Sequence, residues 1–108
     1  MSLEVGLEAE ERVVVYLKQK GYEIIKRNFH SKFGEIDIIA KKDEILSFFE
    51  VKYSKKYDPI CRITQAKMSK IIKTIEYFFM TNNYDEEYQI SAALVTPQKI
   101  EIVDNISF

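Results

Sequence analysis

Apolar residues recur at helical spacing in two segments of the chain. In the first segment, residues 3–20, they lie at steps of three and four: Leu3, Leu7, Val13, Val14 and Leu17. This spacing predicts a helix, and Gly21 is a natural end for it. A second apolar stripe runs from residue 63 to residue 79 and predicts a helix that ends at Asn82-Asn83. Its start is predicted either at Asp58-Pro59, an N-cap residue followed by proline, or later, at Thr64.

Five other segments have the composition of strands, with turn-forming residues between them. These strands are predicted at residues 22–29, 35–40, 45–53, 88–96 and 99–103. Residues 28–34 are predicted to form a loop that bends at Gly34, and the polar residues 41–44 are short enough for a hairpin. No helix separates the first three strands, so we expect them to be antiparallel. The order α-β-β-β-α-β-β predicts a mixed α/β fold with one central sheet, in a single domain of residues 1–108.

Charged side chains interrupt two of the most apolar strands. Glu35 and Asp37 lie in the second strand, and Glu50 and Lys52 lie in the third. Period-two alternation puts Glu35, Asp37 and Ile39 on one strand face, and Glu50 with Lys52 on one face of the next strand. Carboxylates and lysines are rarely buried unless they are paired or bind a metal ion. The segment is therefore either a structural ion cluster or an active site, in which Asp37 and Glu50 face each other if the register allows it.

A further acid projects from the apolar stripe of the first helix. Glu10 lies three residues after Leu7 and four before Val14, so the helix directs it toward the core. By spacing alone, a glutamate at the margin of the stripe that reaches solvent is slightly favoured.

Composition narrows the classes of function. The net charge of −1 gives no whole-protein argument for nucleic-acid binding. The single cysteine excludes an intramolecular disulfide and a CxxC metal pair. No apolar run is long enough to span a membrane and no signal peptide is visible, so we expect a cytoplasmic protein without a membrane partner.

The local distribution of charge is more informative than the total. Residues 52–73 contain seven basic residues and one acid, and residues 76–108 contain six acids and one base. The basic segment begins where the charged strands end. It forms either a solvated helix face or a phosphate-facing patch beside an acidic site. In the second case, Tyr53 and Tyr57 are candidates for stacking on unpaired bases.

This combination of acids and a lysine suits phosphodiester hydrolysis with a hard divalent cation. Mg²⁺ or Mn²⁺ takes one or two carboxylates together with waters and substrate oxygens. Asp37, Glu50 and the backbone carbonyl of Val51 are the candidate ligands, and Glu10 is a candidate for adding another. Lys52 is suited to orienting the attacking water or stabilising the charge that develops on the phosphate.

These residues resemble the motifs of a known protein superfamily and of a known family. Asp37 followed by the triplet Glu50-Val51-Lys52 resembles the PD-(D/E)xK nuclease superfamily, whose fold is restriction-endonuclease-like. The longer text GLEAEERVVVYLKQKGYEIIKRNF, GEIDIIA and FFEVKY resembles the YraN family of small bacterial proteins over nearly the whole chain. It is more distantly similar to archaeal Holliday-junction resolvases. Ala9, His30, Glu35 and Tyr53-Ser54 depart from the motifs of the family or the superfamily.

The resemblance implies a function and a set of residues for it. It implies a Mg²⁺- or Mn²⁺-dependent endonuclease that hydrolyses DNA, with branched structures as candidate substrates. The implied catalytic residues are Glu10, Asp37, Glu50 and Lys52, and the metal ligands are Asp37, Glu50 and Val51. The expected nucleic-acid contacts are Lys55, Lys56, Arg62, Lys67 and Lys70. A symmetric cut of both strands would suggest a homodimer. The alternative is a non-catalytic module that binds nucleic acid or a partner through the same fold. The near-neutral charge, the small size and the departures at His30 and at Tyr53-Ser54, where the family usually has an arginine, favour it.

Overall fold

The computed structural model describes residues 3–56 and 63–106, and side chains from residue 5 onward. Its elements are α1 (Leu3–Gln19), β1 (Glu23–Ser31), β2 (Gly34–Lys42), β3 (Ile45–Tyr53), α2 (Gln65–Thr81), β4 (Glu87–Val95) and β5 (Ile100–Val103). The predicted order of elements, α-β-β-β-α-β-β, and the mixed α/β fold are confirmed. Asp58-Pro59, one of the two predicted helix starts, lies outside the described residues. Neither α1 nor α2 is long and apolar enough to cross a membrane.

Capping interactions explain where α1 ends and where α2 begins. After α1, Gly21 has a φ of +93°. Its N–H donates to the carbonyl of Lys18, and the N–H of Tyr22 donates to the carbonyl of Leu17. These two bonds form the Schellman arrangement that the glycine predicted. At the start of α2, the side chain of Thr64 accepts a hydrogen bond from a backbone N–H in the first turn, which confirms the later of the two predicted starts.

The five strands form one mixed sheet in the order β1-β2-β3-β4-β5. The first three strands are antiparallel, as expected, while β3 and β4 are parallel and joined through α2. β4 and β5 are antiparallel. The predicted loop over residues 28–34 is wrong, because the ladder of β1 and β2 continues to the pair Ser31 and Gly34. Only Lys32 and Phe33 remain as the turn of this hairpin.

One helix covers each face of the sheet. Ala9, Val13 and Leu17 of α1 pack on Ile38 and Phe49 in one core cluster. A second cluster lies on the other face, where α2 contributes Met68, Ile71, Ile75 and Phe78 against Ile36, Ile39 and Phe48.

The alternation of β2 is interrupted near Asp37. Ile36 packs in the cluster under α2, whereas Ile38, two residues later, packs under α1. Residues two apart on a regular strand share a face, so strict alternation from Glu35 to Ile39 is wrong for this strand. On the neighbouring strand, Asn28 has a φ of +52°, which is uncommon for a residue other than glycine. The irregular stretch of both strands thus surrounds the acid that the sequence singles out.

Candidate active site

The β2–β3 hairpin opens at the predicted acids. Paired positions run from its turn to Ile38 and Phe49 and go no further, although β2 stays paired with β1 and β3 with β4 beyond this point. Asp37 and Glu50 are the next residue on each strand after the last pair. The register that the sequence left open therefore brings these two acids to the point where the strands separate.

Asp37 is buried and holds the two strands together at this point. Only 8% of the residue's surface is exposed. Its Oδ2 accepts a 2.8 Å hydrogen bond from the N–H of Val51. A side-chain oxygen thus satisfies a backbone donor that a strand carbonyl would satisfy in a continued ladder.

The environment of Asp37 raises its pKa to about 7. Burial is the largest cause, and the charge of Glu50 is the next. The hydrogen bond from Val51 lowers the pKa, and the charges of Glu10 and Glu35 raise it further. The site therefore has an excess of negative charge that a cation would offset.

Glu10 brings another acid to this region from α1. Burial is the main cause that raises its pKa, opposed by a hydrogen bond with the Asn28 side chain and by the charge of Arg27. The charges of Glu35 and Glu50 also raise the pKa of Glu10. Its Oε1 is buried and has no hydrogen-bond partner among the described residues. This oxygen is turned away from solvent, while the residue as a whole is partly exposed, so Glu10 lies at the margin of the apolar stripe.

Glu35 also belongs to this group of acids, although the sequence predicted no role for it. Its charge raises the pKa of both Asp37 and Glu10. Its Oε2 also lies 3.4 Å from Nδ1 of His30, on the solvent side. The sequence contained one signal for a role of Glu35, its position two residues before Asp37. Because the alternation of β2 is broken near Asp37, this spacing does not show that the two side chains share a face.

The cation paired with the site acids comes from α2. Lys67 Nζ lies 3.4 Å from Glu50 Oε1, and the Glu50 side chain is only 12% exposed. Lys52 is half-buried on β3, and within the described part of the chain no ion pair forms at it. Charge compensation at Glu50 therefore comes from Lys67, which is predicted from the sequence to contact nucleic acid.

The other predicted nucleic-acid contacts are only partly brought together. Lys55 and Lys56 are exposed directly after β3, and Lys70 is exposed on α2. Arg62 and Tyr57 lie outside the described residues. Tyr53, predicted as a stacking residue, packs partly buried against the core under α1.

The donor set fits a hard divalent cation such as Mg²⁺ or Mn²⁺. In the stretches 3–56 and 63–106, no three side chains of His, Cys, Asp or Glu converge on one metal position. Mg²⁺ does not need three, because it binds through one or two carboxylates and keeps several waters. Asp37 and Glu50 supply two carboxylates, and the carbonyl of Val51 is a further hard donor. The unpartnered oxygen of Glu10 is the observation that indicates a missing positive or donor group.

Comparison with known proteins identifies the family. A UPF0102 protein of Campylobacter hominis is 50% identical over 103 residues, which cover 94% of this chain and 92% of that protein. A UPF0102 protein of Campylobacter fetus subsp. fetus is 48% identical over 104 residues, covering 95% and 93% respectively. The model of the family described as "Uncharacterised protein family UPF0102" matches residues 9–104. The chain therefore belongs to the UPF0102 family.

Proposed function

We propose that this protein is a metal-dependent endonuclease that hydrolyses DNA phosphodiester bonds, with a restriction-endonuclease-like fold of the PD-(D/E)xK superfamily. The observation that carries the proposal is the pair Asp37 and Glu50 at the opening of the β2–β3 hairpin. Burial, followed by repulsion from Glu50, raises the pKa of Asp37 to about 7. Perturbed acids of this kind are concentrated at functional sites.

The position of the acids within the fold supports the same reading. Asp37 and Glu50 come from adjacent antiparallel strands, and Glu10 adds a carboxylate from the helix packed on one face. This is the arrangement that the resemblance to the YraN family and to PD-(D/E)xK nucleases implies. Three elements, α1, β2 and β3, thus contribute acids to one region.

Each residue of the proposed site would have its own role. Asp37, Glu50 and the carbonyl of Val51 would hold Mg²⁺ or Mn²⁺. The bound cation supplies a water of lowered pKa and neutralises charge on the phosphate. Lys52 would orient the attacking water or stabilise the developing charge, and Glu10 would accept a hydrogen bond from a water at the site. Lys67, whose ammonium lies beside Glu50, would contact the phosphate.

A cleavage assay tests the proposal. Purified protein is incubated with Mg²⁺ or Mn²⁺ and labelled branched, nicked and linear DNAs, and the products are resolved by electrophoresis. We expect cleavage that is abolished by EDTA, by Asp37→Asn and by Glu50→Gln. Lys18→Ala, on the exposed end of α1, is the matched control and should retain activity. Cleavage that survives Asp37→Asn would come from a contaminant and would refute the proposal.

A non-catalytic nucleic-acid-binding module is the second candidate. The observation that favours it is that Glu50, a proposed metal ligand, is already paired with Lys67. This function predicts DNA binding that is the same with Mg²⁺ and with EDTA and that does not change in Glu50→Gln. The endonuclease predicts that the metal strengthens binding to DNA and that Glu50→Gln abolishes this gain.

A further inference from the structure

The turn of the β1–β2 hairpin presents an aromatic ring between two lysines. Phe33 is 38% exposed, although it is a large apolar side chain. The Nζ atom of Lys32 lies 5.2 Å from the centre of its ring, and that of Lys73, from α2, lies 5.4 Å from it. Both distances are within the range of cation–π attraction. The ring and its two ammonium groups form a cluster at the surface, which we term the Phe33 platform (Lys32, Phe33 and Lys73).

Hydrogen bonds fix this platform to α2. The Oγ of Ser31 lies 2.8 Å from the Oγ1 of Thr74, a fully buried residue of α2. The same Ser31 Oγ accepts a 3.1 Å hydrogen bond from the N–H of Phe33. Thr74 in turn donates to the carbonyl of Lys70. The turn is therefore held in place, and ordering it costs a ligand little entropy.

A row of lysines leads from the proposed active site to the platform. Lys67, Lys70 and Lys73 are three residues apart on α2, so they lie on neighbouring turns along one side of the helix. Lys67 contacts Glu50, Lys73 lies over Phe33, and between them the Cβ of Lys70 lies near Gly34. The helical rise of ~1.5 Å per residue places the first and last of the row ~9 Å apart along the axis. A phosphate backbone lying along this row would meet positive charge from the proposed active site to the platform.

We infer that the Phe33 platform binds an unpaired base of single-stranded DNA, and this inference rests on the proposed function because it specifies the substrate of that same site. A base can stack on the exposed ring of Phe33, which displaces one of the flexible lysine ammonium groups toward the adjacent phosphates. Paired bases inside a duplex offer no free face to the ring. Phe33 is four residues before Asp37, ~13 Å along an extended strand at ~3.3 Å per residue. The platform therefore selects DNA with an unpaired stretch next to the scissile bond.

Binding without turnover tests this inference. The parent protein is Asp37→Asn, measured in EDTA, so that neither metal binding nor cleavage affects the result. Fluorescence anisotropy compares a labelled 12-nucleotide oligothymidylate with a 12-base-pair duplex at the same salt concentration. Adding Phe33→Ala should weaken oligothymidylate binding by about tenfold or more, the range found for loss of one base–aromatic stack. Duplex binding should change by less than about twofold, and Phe33→Tyr should keep most of the single-strand affinity.

Matched variants separate stacking from charge and from folding. Lys73→Ala should reduce the dependence of oligothymidylate binding on log salt by about 0.7, the contribution of one phosphate contact to a single strand. Leu7→Ala and Lys18→Ala, on the exposed side of α1, remove an exposed apolar and a basic side chain elsewhere and should leave binding unchanged. Thermal unfolding of each variant shows whether the fold is retained.

Several results would overturn the inference. They are an absence of oligothymidylate binding by the parent, equal losses for single-stranded and duplex DNA in Phe33→Ala, or no loss at all. Polyglutamate serves as an acidic peptide probe, and an equal loss of its binding in Phe33→Ala would mean that the platform recognises acidic partners by charge. Failure of the endonuclease proposal appears separately, as an absence of metal-dependent cleavage while single-strand binding still depends on Phe33.

Discussion

The carboxylate of Asp37 accepts a 2.8 Å hydrogen bond from the backbone N–H of Val51 across the opening of the β2–β3 hairpin. One of its oxygens therefore has a structural task. This hydrogen bond brings the carboxylate of Asp37 close to the backbone of Val51, whose carbonyl is another proposed metal ligand. Folding of the hairpin thus assembles part of the proposed metal site, at the expense of burying an acid next to Glu50.

The stability of the metal-free protein should decrease as the pH rises from about 4 to about 7. Burial raises the pKa of Asp37 from 3.8 to about 7, so across this interval the folded state holds a proton that the unfolded state has released. Stability falls with pH wherever the folded state binds more protons, and the fall for this one group is on the order of a few kcal/mol. Glu10, whose pKa burial also raises, acts in the same direction. Urea unfolding at several pH values in EDTA measures the effect.

Asp37→Asn should stabilise the metal-free protein at pH 8 and flatten its pH dependence. The amide oxygen can still accept the hydrogen bond from Val51, while the buried charge and its repulsion with Glu50 are removed. Asp37→Ala is the comparison, because it leaves the N–H of Val51 without its acceptor. Its free energy of unfolding should be lower than that of Asp37→Asn by about 1–3 kcal/mol. A strong loss of stability in Asp37→Asn at pH 8 would show instead that the ionised carboxylate is structural.

Mn²⁺ should raise the melting temperature of the wild-type protein in the absence of DNA. A ligand at about ten times its Kd stabilises the folded state by ~1.4 kcal/mol, which corresponds to about 5–10 °C for a domain of this size. Differential scanning fluorimetry should show this rise for the wild type and for Lys18→Ala. The rise should be lost in Asp37→Asn and in Glu50→Gln. An equal rise in all four proteins would locate the ion elsewhere.

Lys67→Met should tighten Mn²⁺ binding measured without DNA. The ammonium of Lys67 is paired with Glu50, so the metal must compete with it for that carboxylate. A half-exposed pair contributes up to ~1 kcal/mol, so the gain in affinity should be about two- to fivefold by isothermal titration calorimetry. Lys18→Met is the matched control. Unchanged or weaker binding would mean that Glu50 does not ligate the ion.

Gly21→Ala should destabilise the protein by about 1–2 kcal/mol. At a φ of +93°, a side chain strains the backbone, although the space beside Gly21 is open except for a contact with Lys42. Gly34→Ala is the comparison, because its φ is not positive and the added Cβ would make an ordinary contact with Lys70. Thermal or urea unfolding should therefore show a larger loss for Gly21→Ala than for Gly34→Ala.

Local signals in the sequence predicted most of the elements. β3 begins and ends as predicted at Ile45 and Tyr53, and α1 ends near Gly21 because a glycine there satisfies the last carbonyls of the helix. The prediction of a loop over residues 28–34 was wrong because polar residues such as Asn28 and His30 read as a loop. Pairing with β2 keeps them in a strand, so tertiary context outweighed propensity.

The sequence by itself determined which acids are confined to apolar segments, because the periodicity of helices and strands is a local property that Glu10, Asp37 and Glu50 share with their neighbours. Only the tertiary structure decided where the β2–β3 ladder stops, that Lys67 pairs with Glu50, and that Lys73 meets Phe33. These relationships join residues from different elements. They depend on strand register and on the packing of α2 against the sheet, and no local pattern encodes either.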